Sequence, residues 1–329
     1  LRILVTGGAG YIGSVLVPYL LDKDYLVTVI DAMYFGCNLQ EHPNLTVHEL
    51  DLFDANEGHF RGHDVVIHLA GLSNDPMANF NPSDNFIQNL SGTSYPAWLA
   101  RNAGVGKFIF AGSCSIYGMS KRGVLKESDE PESEFPYAVS KHQAEKSLLH
   151  LARNDFQVCI LRQATVYGYA PRMRTDLVVN TMTKNAICDG TIYMNDPNLH
   201  RPLIHVEDLC EVYRRLLEIK HELPDVINVA TGNYTVQEIA NSVHAALVGE
   251  LPDLQIVNRN LKDPRSYEVD VSLMQKTIGP LVPREIKHSV LELITKIPVT
   301  ETDMWTDPNW INVEMYKQRL NRARHTRLN

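Results

Sequence analysis

The stretch from Arg2 to Asp31 constrains this chain more than any other. Arg2 to Thr6 is a short apolar run that reads as a buried parallel strand, and it empties into Gly7-Gly8-Ala9-Gly10-Tyr11-Ile12-Gly13. A helical pattern follows from Tyr11 to Leu21, with Ile12, Val15, Leu16, Tyr19 and Leu20 three or four apart. A second strand, Tyr25 to Ile30, then ends in Asp31. The glycines satisfy both G-x-G-x-x-G (Gly8, Gly10, Gly13) and the wider spacing Gly7, Gly10, Gly13. One glycine permits a tight turn, another lets backbone approach a diphosphate, and the last lets helix and sheet pack closely. The free N–H groups and positive dipole at the helix start then face the phosphates. Asp31, eighteen residues after Gly13, is placed to accept hydrogen bonds from a ribose diol and to repel a 2′-phosphate. That favours NAD over NADP.

The rest of the chain repeats the alternation of strand and helix. Strands are predicted at Leu45–Leu50, Asp64–Leu69, Lys107–Ala111 and Gln157–Leu161. The first runs into Asp51-Leu52, where a carboxylate at a strand end lies beside the adenine side of a crevice. The second is followed by the small pair Ala70-Gly71. The third delivers Gly112 to Gly118 to the same edge as the glycine loop, and the fourth leads into Arg162 to Gly168. The expected fold is α/β, a Rossmann-type doubly wound parallel sheet with a smaller C-terminal substrate-binding lobe. Residues 1–168 form the dinucleotide-binding part, a segment near 200–232 returns to it, and 169–329 supply most of the lobe. Residues 84–104 read as one helix with Asn89 buried and a possible kink at Pro96. The charged segment Lys121 to Glu134, with Pro131, reads as a surface loop. In the second half, helices are expected near 176–188 and 235–248, and a strand near Val226–Ala230.

Composition narrows the class. A formal net charge of −8 gives no overall field for nucleic acid. The basic residues Lys317, Arg319, Arg322, Arg324 and Arg327 read as a solvated terminal helix or tail. Five widely spaced cysteines without a C-x-x-C pair support neither a disulfide framework nor a zinc site. No apolar run reaches membrane-spanning length and no charged-then-apolar leader opens the chain, so a cytoplasmic protein without a membrane partner is expected. His68 and His205 lack metal-ligand spacing, and no metal is expected. His68 reads as a core imidazole; for His205, packing and a place in the substrate wall both stand.

The chemistry gathers on one predicted helix opened by Pro136. Tyr137 and Lys141 are four apart and share a face. A phenol is a poor base at its ordinary pKa of about 10. A neighbouring ammonium and a cationic nicotinamide ring stabilise the phenolate, so Tyr137 can take a proton from a substrate hydroxyl while the carbon beneath gives up hydride. Ser113, at the end of the adjacent strand, would hold the same oxygen as it becomes a carbonyl.

In these motifs the chain resembles the extended short-chain dehydrogenase/reductases, and within them the nucleotide-sugar epimerase/dehydratase group. The resemblance runs through Thr6–Gly13, Asp31, Asp51-Leu52, His68–Ala70, Asn89, Ser113–Gly118, Tyr137–Lys141, Tyr167-Gly168 and Arg201–Asp208. It implies a catalytic triad of Ser113, Tyr137 and Lys141. The implied NAD contacts are Gly7, Gly10, Tyr11, Ile12, Gly13, Asp31, Asp51, Leu52, Leu69, Ala70, Asn89, Tyr137 and Lys141. The implied contacts to a nucleotide-diphosphate sugar are Ser73, Ser115, Thr165, Asn180, Arg201 and Arg265, the two arginines holding its diphosphate. It further implies a homodimer built on the Tyr137 helix, with Leu148, Leu149 and Leu151 as candidate contacts.

Departures from the pattern refine this expectation. The Asp-Glu pair that the family's 4,6-dehydratases use to eliminate water is replaced by Cys114 and Ser115, which argues against dehydration. Thr165 stands where many relatives carry Asn. Cys114 lies one position away from the cysteine that acts as an acid/base in one relative, and reads instead as a small buried side chain. The leading expectation is an NAD-dependent epimerase working through a transient 4-keto sugar. A 4-ketoreductase using the same residues is the alternative. A non-catalytic dinucleotide sensor is a third reading, opposed by the intact Tyr137 and Lys141.

Overall fold

The computed structural model describes residues 1–261 and 266–326. Seven parallel strands form its central sheet: β1 (Arg2–Thr6), β2 (Leu26–Asp31), β3 (Leu45–Glu49), β4 (Val65–His68), β5 (Lys107–Ser113), β6 (Gln157–Gln163) and β7 (Val226–Val229). Their order is β7-β6-β5-β4-β1-β2-β3. The chain runs outward from β1 to β3, then crosses back to β4 and continues the other way. The crevice at that reversal opens between the carboxyl ends of β1 and β4, where a doubly wound sheet binds its ligand. The doubly wound α/β expectation therefore holds.

Both faces of the sheet are covered, which is why its inner strands are nearly continuous apolar runs. Ile3, Val5, Ile67, Ile109 and Leu161 point into one core, whereas Leu4, Val66, Phe108, Phe110 and Ile160 point into the other. Smaller sheets and further helices lie beside the crevice. Thr165–Tyr167, His200–His205 and Gly232–Thr235 make a three-stranded sheet, and Thr191–Met194 pairs with Gln255–Asn258. Helices Val178–Asp189 and Val236–Leu247 pack their apolar stripes around that ribbon.

Three expectations need correction. Met119–Leu125, part of the supposed surface loop, is a strand parallel to Ser266–Val269. Its partner lies far along the chain, and local composition carries no trace of such a pairing. The helix expected over 84–104 begins at Pro82, widens into a π turn at Ile87–Ser91 and continues as Gly92–Asn102. Pro96 lacks the N–H that would bond one turn back, and its ring crowds the carbonyl of Gly92; the irregularity falls in the turn before it. The basic C-terminal segment is a helix, Asn312–Thr326, whose first half is not simply solvated, while Arg327 lies outside the described residues. Tyr316 is only 2% exposed and packs with Leu72 and Met77.

The helix that carries Tyr137 and Lys141 is Pro136–Leu151, with proline in its first turn. A buried polar network fastens it to β6. Arg162 donates through Nε to Glu145 Oε2 at 3.1 Å and through Nη2 to Glu145 Oε1, and its Nη1 reaches the Tyr117 hydroxyl at 2.8 Å. That hydroxyl lies 2.8 Å from Asn228 Oδ1. Leu148 belongs to the core, while Leu149 is partly exposed.

Candidate active site

A cavity of about 810 Å³ extends from the glycine loop into the lobe. A smaller one of about 110 Å³ adjoins it on the β2 and β3 side and shares Gly7, Gly10, Phe35 and Leu69 with it. The glycine loop forms the junction. Gly7 has φ +73°, and a Cβ there would stand 2.5 Å from the Ala70 nitrogen. Close approach to the sheet falls to Gly8 rather than to Gly13, since a Cβ on Gly8 would press on both Val29 methyls at 2.8 Å.

The cofactor candidates divide between the two cavities. Tyr11, Ile12, Gly13, Leu69, Tyr137 and Lys141 line the large one; Asp31, Asp51, Leu52 and Ala70 line the small one. Asp31 accepts from the Met33 nitrogen at 2.8 Å and from the Ala9 nitrogen at 3.0 Å. Burial raises its pKa, opposed by those two bonds and by the charges of Arg172 and Arg319. Asn89 is an exception. It is fully buried behind the wall, accepting from the Leu72 nitrogen at 2.9 Å and donating to the Leu72 oxygen at 3.0 Å. It holds the loop after β4 instead of contacting the cleft.

Ser113, Tyr137 and Lys141 meet in the large cavity. Ser113 stands close enough to Tyr137 to lower its pKa, and its Oγ lies 2.8 Å from Ser115 Oγ. The expected lowering of the phenol is not what the protein alone produces. Burial pushes Tyr137 up to about 12 and Asp75 adds to this, against the Ser113 hydroxyl and the Arg174 charge. Lys141 is itself buried, which draws its ammonium down to about 7. A cationic nicotinamide ring, when bound beside Tyr137, would favour the phenolate.

Among the substrate candidates, Ser73, Ser115, Thr165 and Arg201 line the large cavity. Asn180 does not. Its amide donates to the Arg174 oxygen at 2.8 Å and accepts from the Gly168 nitrogen at 3.2 Å, shaping the loop beneath the cavity. Arg265 lies outside the described residues. His205 packs edge-on against Tyr167, and burial lowers it to about 3; it is a packing residue. His68 sits between Thr6 Oγ1 at 2.7 Å and Thr93 Oγ1 at 3.1 Å in the core. Cys114 is fully buried with its sulfur 2.9 Å from the Arg162 oxygen, and burial raises the thiol.

Several wall residues escaped the sequence reading. The loop after Gly168 contributes Arg172, Arg174 and Asp176. Arg174 grips Asp176 through two bonds of 2.8 and 3.1 Å, and Asp176 accepts from Asn74 Nδ2 at 2.8 Å. Arg172 is 4% exposed, lies 4.0 Å over the Phe35 ring, and its backbone nitrogen reaches Ser14 Oγ at 3.2 Å. Its Nη2 is buried without a hydrogen-bond partner, and burial lowers its pKa to about 9. An unspent guanidinium donor beside a glycine loop fits an anionic dinucleotide. The Pro-Arg-x-Arg run after Tyr167-Gly168 was the signal available for it.

Fold and site define a dinucleotide-dependent enzyme with the serine, tyrosine and lysine of the short-chain dehydrogenase/reductases. Residues 3–230 match the NAD dependent epimerase/dehydratase family, and the chain belongs to it. Its cofactor is NAD. UDP-glucose 4-epimerase of Bacillus subtilis (strain 168) is 28% identical over 311 residues, 85% of this chain and 91% of that protein. Two solved structures align with TM-scores of 0.78. UDP-N-acetylglucosamine 4-epimerase from Methanobrevibacter ruminantium M1, in complex with UDP-N-acetylmuramic acid, is 27% identical, covering 90% of this chain and 99% of its own. MoeE5, in complex with UDP-glucuronic acid and NAD, is 26% identical, covering 88% and 96%. Among the described residues no helix is long and apolar enough to cross a membrane.

Proposed function

We propose that the protein is an NAD-dependent nucleotide-diphosphate-sugar epimerase that works through a transient 4-keto sugar. The observation that carries this reading is that Ser113, Tyr137 and Lys141 line the same cavity as both the glycine loop and the far-wall residues Thr165 and Arg201. NAD, when bound, supplies the acceptor and later the donor of hydride. Tyr137 takes the proton of the sugar 4-hydroxyl as C4 loses hydride, and the C–O bond becomes a carbonyl. Ser113 donates to that oxygen as its negative character changes. Once the 4-keto sugar has turned over, hydride returns to the opposite face and Tyr137 gives the proton back, so no net oxidation results.

Arg201 would hold the substrate diphosphate, and Arg259, 3.6 Å over the Tyr193 ring, adds a second cation and an aromatic face to the same wall. Cys114 and Ser115 leave no carboxylic acid after Ser113 for water elimination. A homodimer is part of the proposal. The partly exposed Ile87, Trp98 and Leu149 lie on the two packed helical segments that include the Tyr137 helix, and size-exclusion chromatography with light scattering reads the mass.

Purified protein is offered UDP-, GDP- and dTDP-sugars, and the products are separated by chromatography and NMR. The expected result is an isomer of one substrate formed without consumption of added cofactor. Stoichiometric loss of NADH or NADPH absorbance with a 4-keto sugar would replace epimerisation by ketoreduction.

A further inference from the structure

The helix Asn312–Thr326 takes no part in the chemistry above, yet it lies along the cofactor crevice. Its first residue, Asn312, lines the large cavity and donates from Nδ2 to Ser73 Oγ at 2.6 Å. One turn on, Tyr316 is buried; its hydroxyl donates to Asp84 Oδ2 and accepts from Asn81 Nδ2 at 3.3 Å. Val313, Tyr316 and Leu320 share an apolar cluster with Leu72, Met77 and Phe35. Beyond them the Arg319 guanidinium lies 3.4 Å from the centroid of the Tyr34 ring.

Tyr34 and Phe35 connect that helix to the dinucleotide. They follow Asp31 in the loop after β2, and both wall the small cavity that also contains Asp31, Asp51 and Leu52. The loop has no strand or helix of its own, and it turns through Met33 at φ +52° and Gly36 at φ +76°. A guanidinium lies against each ring, Arg319 on Tyr34 and Arg172 on Phe35, and Phe35 also packs in the apolar cluster of the C-terminal helix. A loop with so few backbone bonds opens readily unless its side chains are anchored.

We propose that helix Asn312–Thr326 is a cofactor clamp: Arg319 on Tyr34, with Val313, Tyr316 and Leu320 against Phe35 and Leu72, holds the loop after Asp31 over the adenosine half of NAD and slows its release. The proposal rests on the epimerase reading and deepens it. An enzyme that returns the same hydride to its substrate gains nothing from exchanging cofactor, whereas a ketoreductase must release the oxidised form at every turn. Arg319 acts through Tyr34 and is a positioning residue.

The test uses the full chain. Protein loaded with NADH is mixed with excess NAD, and loss of bound-NADH fluorescence gives the release rate. Arg319→Ala is expected to release NADH roughly tenfold faster, the size of a partly desolvated cation–π contact. Its circular dichroism and melting temperature serve as the control for folding. Tyr316→Phe, which keeps the ring but drops the bonds to Asp84 and Asn81, is expected to accelerate release less than Arg319→Ala. A folded Arg319→Ala protein with a release rate within twofold of the parent overturns the clamp. No sugar is added, so the result is independent of turnover. Slow parental release, accelerated by Arg319→Ala, sustains the clamp even in a protein that epimerises nothing.

Discussion

Lys141 donates from Nζ to the carbonyl oxygen of Ala111 at 2.9 Å and stands 4.5 Å from the centroid of the Phe110 ring. This contact ties the Tyr137 helix to the end of β5, the strand that ends in Ser113. Together with the Glu145–Arg162 pair, this bond between helix and sheet sets Tyr137 beside Ser113. The same burial that fixes Lys141 draws its pKa from 10.5 to about 7.

That shift has a sign. Between about pH 7 and 10.5 the unfolded chain holds a proton on Lys141 that the folded protein sheds, so this group's effect makes stability rise with pH across that window. Below it the burial penalty is fully present; above 10.5 it is absent. Lys141→Met should therefore melt higher than the parent at pH 6 without added nucleotide, and the advantage should shrink toward pH 10.5. Melting curves that stay parallel across this range would contradict the burial argument.

Tyr137→Phe removes the only proposed proton acceptor and leaves the ring in place. Turnover should fall by roughly 10²- to 10⁴-fold, the usual worth of a positioned acid/base group. NAD binding, measured by titration calorimetry, should persist. Turnover at the parental rate would remove Tyr137 from the mechanism.

Two neighbours push Tyr137 in opposite directions. The Ser113 hydroxyl lowers its pKa and the Asp75 charge raises it. Ser113→Ala should therefore move the limb of the kcat/KM pH profile that reports the phenol to higher pH. Asp75→Asn should move it lower, since a negative neighbour no longer opposes the phenolate. Identical displacements of the two profiles would show that the limb reports another group.

Arg172 carries a buried donor that no described residue satisfies. Arg172→Gln should weaken NAD binding by roughly 10- to 100-fold, the range for a hydrogen bond to a charged group, while the melting temperature without nucleotide changes little or rises. Calorimetry at two salt concentrations reads both the affinity and its electrostatic share. Unchanged affinity would place the diphosphate away from this guanidinium.

Glu145 and Arg162 form the buried pair that fastens the catalytic helix to β6, with side chains 5% exposed on each partner. Glu145→Gln strands the Arg162 charge in the interior and should cost roughly 3–5 kcal/mol, as breaking a buried pair does. Urea unfolding of the two proteins reads this. A loss under 1 kcal/mol would mean that the Tyr117 hydroxyl and the Glu127 carbonyl, which accepts from Arg162 Nη1 at 3.0 Å, suffice for Arg162.

Much of the architecture was legible because it is written in local patterns. The glycine loop, Asp31, the strand ends at Ala70 and Ser113, and the four-residue spacing of Tyr137 and Lys141 are all short-range. Each is forced by the geometry of a strand running into a turn or of one helical turn. Asn89 and Asn180 show the limit. Both were expected to contact a ligand, yet whether such an amide faces a ligand or braces the backbone behind it depends on which loop passes in front. Met119–Leu125 shows it too, since its strand character comes from a partner more than a hundred residues away.

The amino-acid order by itself determined the parallel sheet and the dinucleotide crevice, and it named Ser113, Tyr137 and Lys141 as the side chains proposed to react. Chain folding in three dimensions decided the rest: that Arg172 is left with an unspent donor, that burial sets Lys141 near neutrality and Tyr137 well above it, and that Arg319 reaches Tyr34. The reason is physical. Periodicity and turn chemistry act over a few residues, whereas desolvation and ring stacking depend on surfaces brought together from distant parts of the chain.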